Sequence, residues 1–330
     1  MLLISPEYLQ IGTSETIPAH LDGYKIPNSK ILYGSTPKGS YLFQDLYCKN
    51  YHSCFIDLLA SYEHKIVLLK KAPSFYIMVQ LKNTLDCHFY KLSNGQYNEW
   101  SINLFYSKSV FAEISLHKLQ PSCTFILFIP NDIVKRLSKD YPIIKRFEEL
   151  QSEEQTSKLF RGNPICNFKV MDLINAIHSN EHIGSKTYVE LIKASFELLN
   201  KKNLKKQSEV ETEILQKIYA VREYMSTHTT ENFTRSEICQ KFNLSMYHFE
   251  QSFSKIYNAS PILLLRYYRM SEVKREVKKN DTGLKELASK YHYSYNSFIR
   301  AFQSIYKQHP KFLHTKIRRK ATSNKRFSKK

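Results

Sequence analysis

The sequence predicts an α+β chain: a β-rich sandwich or small barrel first, then a helical segment, then an all-helical last third. Three observations carry this. Short aromatic and β-branched runs crowd residues 42–130, and helical periodicity takes over from about 131. The stretch KFNLSMYHFEQSFSKIY at 241–257 is nearly repeated at 290–306 as KYHYSYNSFIRAFQSIY. At 330 residues the chain is long enough for two or three domains, each with its own core.

The β-rich part reads in order as HKIVLLK, SFYIMVQL, LDCHFYKL, SINLFYS, FAEISLH and TFILFIP, separated by turn residues. Asn94-Gly95 predicts a tight hairpin between two of these runs. Ile114 and Leu116 alternate with Glu113, Ser115 and His117, as a strand with one wet face requires. Residues 1–165 are taken as this domain.

Residues 166–204 predict a pair of helices. Val170, Leu173, Ile174 and Ile177 form one apolar stripe, and Tyr188, Leu191, Ile192 and Leu199 another. A double stripe exceeds what a connector needs, so the segment is expected to carry a homodimer; packing of both stripes on the β-rich part is the alternative. The polar run KKNLKKQSEVETE (201–213) marks a boundary, leaving a helical linker over 166–210 and a last domain over 211–330.

In that domain an offset of 49 residues matches Ser245 to Ser294, Phe249 to Phe298, Phe253 to Phe302, Ile256 to Ile305 and Tyr257 to Tyr306. One unit of helix, turn and helix is made twice. Thr234 and Glu237 spell a capping box opening a helix over 235–242, and Asp281 or Thr282 is expected to cap its counterpart over 284–291. Ser245 and Ser294 are N-caps of the second helices. Phe249, Phe253 and Ile256 fall on one face, with Phe298 and Phe302 their equivalents. Tyr247, Gln251 and Ser254 fall on the other, matched by Asn296, Arg300 and Gln303. The buried face is kept and the solvent face varied. Between the copies, Ser260-Pro261 starts a helix over 261–279 with a stripe of Leu263, Tyr267, Met270, Val273 and Val277. Its length is roughly 28 Å. Successive major grooves on one side of B-DNA lie about 34 Å apart.

Charge agrees. The net charge is +19, and residues 211–330 hold 24 Lys/Arg against 10 Asp/Glu, so the surplus sits where the repeat is. Such a surplus implies a negative partner. No apolar run is long enough to cross a bilayer, and MLLISPEYLQ does not read as a signal peptide. Cysteines 48, 54, 87, 123, 166 and 239 show no CxxC spacing and are expected to be reduced thiols, Cys239 as a small core residue. His52, His64, His88 and His117 lack metal-binding spacing, and no phosphate-cradling glycine loop or nucleophile elbow is present.

At these residues the sequence resembles the DNA-binding domain of the AraC/XylS family of transcription regulators. The matching elements are EICQKFNLSMYHFEQSFSKIYNASP, LLRYYRM and LKELASKYHYSYNSFIRAFQSIYKQHP, over roughly 215–317. The resemblance implies a monomer that sets two recognition helices into successive major grooves, with Tyr247, Gln251, Asn296 and Arg300 facing bases. Family members often carry Arg where Gln251 stands and Gly where Asn243 and His292 stand, and the second turn reads one residue shorter than usual. Ser245, His248, Ser294, Tyr295 and Ser297 at the helix starts, with Lys255 and Lys307 beyond them, are expected to meet phosphates. The N-terminal part is similar in architecture to the cupin-like, β-rich sensor half that many such regulators carry.

The chain is thus expected to be a cytoplasmic, sequence-specific DNA-binding transcription regulator and not an enzyme. Its expected partners are promoter DNA, a second copy through 166–204, and RNA polymerase. No cofactor, metal or membrane is expected, and no effector is identified. The alternatives are an architectural DNA-binding protein without strong sequence preference and a β-barrel enzyme tethered to DNA.

Overall fold

The computed structural model describes residues 3–4, 12–14, 16–18, 25–70, 74–89, 92, 95–107, 110–118, 120–149, 157–160, 162–179, 184–202, 209–257, 259–279, 282–306 and 308–312. The chain divides into two compact units, residues 25–206 lying in the first and 207–330 in the second.

The strands of the first unit are β1 (Leu3–Ile4), β2 (Gly12–Ser14), β3 (Lys30–Thr36), β4 (Gly39–Cys48), β5 (Tyr51–Ala60), β6 (His64–Lys70) and β7 (Ser74–Lys82). There follow β8 (Leu85–Phe89), β9 (Gly95–Tyr97), β10 (Ile102–Ser107), β11 (Val110–Leu116) and β12 (Ser122–Ile129). Helices α1 (Asn131–Ser138) and α2 (Pro142–Glu149) precede a short β13 (Ser157–Lys158). Two antiparallel sheets result among the described residues, ordered β13-β10-β7-β12-β5-β4-β3-β2 and β1-β6-β11-β8-β9. Strand formation begins earlier than the sequence runs suggest, because β3, β4 and β5 form a meander from Lys30 onward. Asn94 lies outside the described residues, but β8 and β9 on either side of it pair, Cys87 opposite Gly95.

Period-two alternation sorts the side chains of β5 between two cores. Cys54, Ile56 and Leu58 join Ile66, Leu68, Ile114, Leu116, Met78 and Phe128 in the core shared by both sheets, which makes the unit a sandwich. Ser53 and Phe55 point the other way, to α3 (Phe168–Ser179) and α4 (Ser185–Lys202). There the Ser53 and Tyr188 hydroxyls share a hydrogen bond of 2.9 Å, Tyr188 stacks on Tyr51, and His178 meets Phe55 edge-on.

This corrects the reading of the two stripes as a dimer surface. Val170, Ile174, Ile177, Tyr188, Leu191, Ile192 and Leu199 are buried within the chain itself, and only Leu173 of the eight keeps partial exposure. The exposed positions of α3 and α4 are largely charged: Lys169, Lys186, Glu190 and Lys193.

The second unit holds α5 (Glu209–Thr227), α6 (Arg235–Lys241), α7 (Met246–Tyr257), α8 (Pro261–Lys279), α9 (Leu284–Lys290) and α10 (Tyr295–Tyr306). The capping box at the start of α6 forms in full, with Thr234 and Glu237 bonded reciprocally. Of the two residues expected to cap α9, Asp281 lies outside the described residues, and Thr282 is not the N-cap. That N-cap is Gly283, which has no side chain to offer. The stripe on α8 also differs from expectation. Met270, Val273 and Val277 are fully buried in the core around α9 and α10, but Leu263 and Tyr267 are only half-buried, and Leu264 and Tyr268 are the buried residues near the N-terminal end. The reason is that α8 serves two cores, packing on α5 and α7 at one end and on α10 at the other. No helix among the described residues is long and apolar enough to cross a membrane.

Candidate nucleic-acid interface

The two copies turn the chain in the same way. After α6, the Leu244 N–H donates to the Cys239 carbonyl at 2.9 Å and the Asn243 N–H to the Gln240 carbonyl at 3.3 Å. After α9, the Tyr293 N–H donates to the Ala288 carbonyl at 2.9 Å and the His292 N–H to the Ser289 carbonyl at 3.0 Å. This crossed pair needs a left-handed residue just past the helix end. Asn243 and His292 supply it, with φ of 48° and 60°. Within this chain the two turns therefore have equal length and the same bonding, and the second helix is not shifted relative to the first.

Each turn delivers a serine to the head of the next helix. Ser245 Oγ accepts from the His248 N–H at 3.2 Å, and Ser294 Oγ from the Ser297 N–H at 3.3 Å. These caps satisfy N–H groups that a helix start otherwise leaves open. Ser294 also donates to the Ser297 hydroxyl.

Phe249, Phe253, Phe298 and Phe302 are all fully buried, and the faces fall as the spacing predicts. Tyr257 is buried as well, whereas Ile256 is half-buried and its counterpart Ile305 is buried. On the opposite face Tyr247 is 64 % exposed, and Gln251, Ser254, Asn296, Arg300 and Gln303 are exposed. His248, Tyr295 and Ser297 are exposed near the helix starts. The side chain of Lys255 and all of Lys307 lie outside the described residues. The sequence reading passed over Met246, an exposed apolar side chain 49 residues before Tyr295 in the same first-turn position.

Different chemistry holds the two units together at matched points. In the first, Arg235 on α6 is ion-paired with Glu250 on α7. The same positions in the second are Leu284 and Ile299, both packed against its core. The second unit has its own polar tie. Glu276 on α8 accepts from Lys290 Nζ at 2.8 Å and from the Tyr291 hydroxyl at 2.6 Å. Burial, then this carboxylate, push the Tyr291 phenol well above its usual range, so it stays a donor. Bonds from the Thr234 amide and hydroxyl hold Glu237 below the usual carboxylate range, keeping it an acceptor in the capping box.

Two matched helices with polar exposed faces, each started by a capped turn, form the geometry of a groove reader. A family model described as a helix-turn-helix domain matches residues 238–315. Residues 238–315 are a helix-turn-helix domain. The matched stretch takes in α7, α8, α9 and α10 and most of α6. Among solved structures the chain is similar to ToxT from Vibrio cholerae strain SCE256 with an unsaturated fatty acid bound, at 16% identity over 80% of this chain and 94% of that one, with a TM-score of 0.31. It is similar to ToxT from Vibrio cholerae O395 at 13% identity over 80% and 97%, TM-score 0.32. It is similar to the AraC-like transcriptional activator CuxR at 8% identity over 77% and 88%, TM-score 0.33. No curated protein matches the chain.

Proposed function

We propose that the chain is a sequence-specific regulator whose helices α7 and α10 read two adjacent major grooves of promoter DNA. The observation that carries the reading is the difference between the copies. Their buried faces are the same, while Tyr247 and Gln251 stand where Asn296 and Arg300 stand 49 residues later. A protein that gripped DNA by charge alone would need no such difference. Base edges in the major groove are told apart by donor and acceptor patterns that amide and guanidinium groups match. Ser245, His248, Ser294, Tyr295 and Ser297 at the helix starts meet phosphates in this reading, and Lys255 and Lys307 of the sequence add positive charge to the domain. The test is selection by the intact chain from a randomised duplex library at physiological salt. A defined site with two half-sites is expected; enrichment no better than random DNA would leave the architectural reading in its place.

In this reading the N-terminal unit senses a signal in the cytoplasm and couples it to the DNA-binding half. The apolar cavity of about 20 Å³ between its sheets, lined by Ile56, Leu68, Tyr76, Met78, Ile114 and Phe128 among others, has room for about one water and names no ligand.

A further inference from the structure

Three successive backbone carbonyls in the loop between α5 and α6 are held from elsewhere in the domain. Arg269 on α8, only 8 % exposed, donates through Nε to the Thr229 carbonyl at 2.9 Å and through Nη2 to the Glu231 carbonyl at 2.7 Å. Between these two, the Thr230 carbonyl lies 2.7 Å from Nε2 of His292, which donates when its proton is on that nitrogen. His292 sits in the turn between α9 and α10. The Arg269 guanidinium also lies 5.8 Å from the ring centre of Tyr293, the next residue in that turn. A loop of the first copy, the shared helix and the turn that launches α10 are thereby joined by three hydrogen bonds and one ring contact.

The chemistry explains two oddities. A buried guanidinium is tolerated only where its donors are used, and here two of them are used in a fork that lysine cannot reproduce. A left-handed backbone is uncommon for any residue but glycine, yet His292 occupies one where the first copy has Asn243. The imidazole reaches the Thr230 carbonyl. In the first copy the corresponding residue offers its own carbonyl to Lys217 Nζ instead. The residue in the second turn thus does something its counterpart does not.

We propose that Arg269 and His292 are positioning residues that lock α7 and α10 at one separation, so that the domain accepts one spacing between its two half-sites. The proposal rests on the reading of both helices as DNA readers. Two linked binding elements gain most when the link matches the span between their sites, and a stiff link penalises every other span. A clamp that merely stabilised the loop would raise stability without selecting a spacing.

The test uses the full chain with Arg269→Lys, which keeps the charge and loses the fork, and His292→Asn, which keeps a residue suited to the turn. Spin labels are attached at Ser254 and Gln303 through non-cysteine chemistry, and the distance between them is measured without DNA. The unsubstituted chain should give one narrow distribution, and each variant a distribution about twice as broad with helix content unchanged. Equal widths would overturn the proposal, as would loss of the fold in both variants, which would make the contacts structural only. Binding is then measured on duplexes whose half-sites are moved apart by one or two base pairs. The original chain should lose about tenfold at one base pair off its best spacing, and the variants less than about threefold, with single half-sites bound equally by all. An unchanged spacing preference in the variants would also overturn it. If the original chain shows no sequence preference, the groove-reading function fails, while the distance measurement still decides the clamp.

Discussion

Gln251 and Arg300 occupy the same point on α7 and α10, each exposed between two fully buried phenylalanines, Phe249 and Phe253 in one copy and Phe298 and Phe302 in the other. One scaffold position thus presents an amide in the first copy and a guanidinium in the second. A guanidinium can donate two parallel bonds to guanine O6 and N7, which an amide cannot. Arg300→Ala is expected to cost about 1–3 kcal/mol at the intact site and to flatten the preference at one base pair. Gln251→Ala should cost less. Binding of both variants to the randomised library at two salt concentrations checks this. A loss shared equally by all sequences, with a salt slope reduced by about one, would assign Arg300 to a phosphate.

Phe249→Ala and Phe298→Ala each empty a fully buried aromatic site, at an expected cost of roughly 3–5 kcal/mol. Thermal melts followed by helical ellipticity measure it. A loss under about 1 kcal/mol would mean the surrounding helices collapse onto the gap, which close-packed interiors resist.

Much of this domain was legible in the sequence, and what was missed has physical causes. The bounds of α8 at Pro261 and Lys279, the serine caps and the buried phenylalanines all follow from local spacing, so duplication made them readable twice. The α8 stripe was misread because two partly overlapping stripes, one for each core, look like one on a single helix. The start of α9 at Leu284 was read correctly, but the residue just before it is Gly283, so Thr282 stands one place too early to be its N-cap. The ties from Arg269 and His292 end on backbone carbonyls about 40 and 62 residues away, and backbone carbonyls leave no pattern in a sequence. In the first unit, β10 is buried at every position and shows no alternation, so its run SINLFYS was legible only from its aromatic and β-branched content.

The buried stripes of α3 and α4 give a separate expectation. Leu191→Ala should destabilise the first unit by about 2–5 kcal/mol and leave the sedimentation coefficient of the folded chain unchanged. Trp100, the one tryptophan of the chain and buried in the first unit, reports the unfolding by fluorescence. A change in oligomeric state with little loss of stability would restore the stripes as a dimer surface.

Asp57 on β5 provides a pH test. Burial lifts its carboxyl to about 6, against the opposing pull of the Cys123 thiol and the Lys82 ammonium. The folded chain therefore holds this proton more tightly than the unfolded chain, where such a group titrates near 3.9. Between roughly pH 4 and 6 the folded state binds more protons, so this group's contribution to stability falls as pH rises. The whole effect is about 3 kcal/mol at the most, and smaller because water still reaches part of the side chain. Asp57→Asn should remove that slope and stabilise the first unit at pH 7.5 relative to the original, with little difference at pH 4. Urea unfolding followed at Trp100 checks both ends; a larger advantage for Asp57→Asn at the acid end would contradict the assignment.

The central claim is that one chain reads two grooves on one side of the duplex. Guanine-N7 methylation interference on the selected site tests it most directly, because that atom is exposed only in the major groove. Two clusters of interfering guanines, centred about 10 base pairs apart, are expected, with the strongest single guanine under α10 and its interference lost in Arg300→Ala. A single cluster, or interference spread evenly along the site, would contradict it.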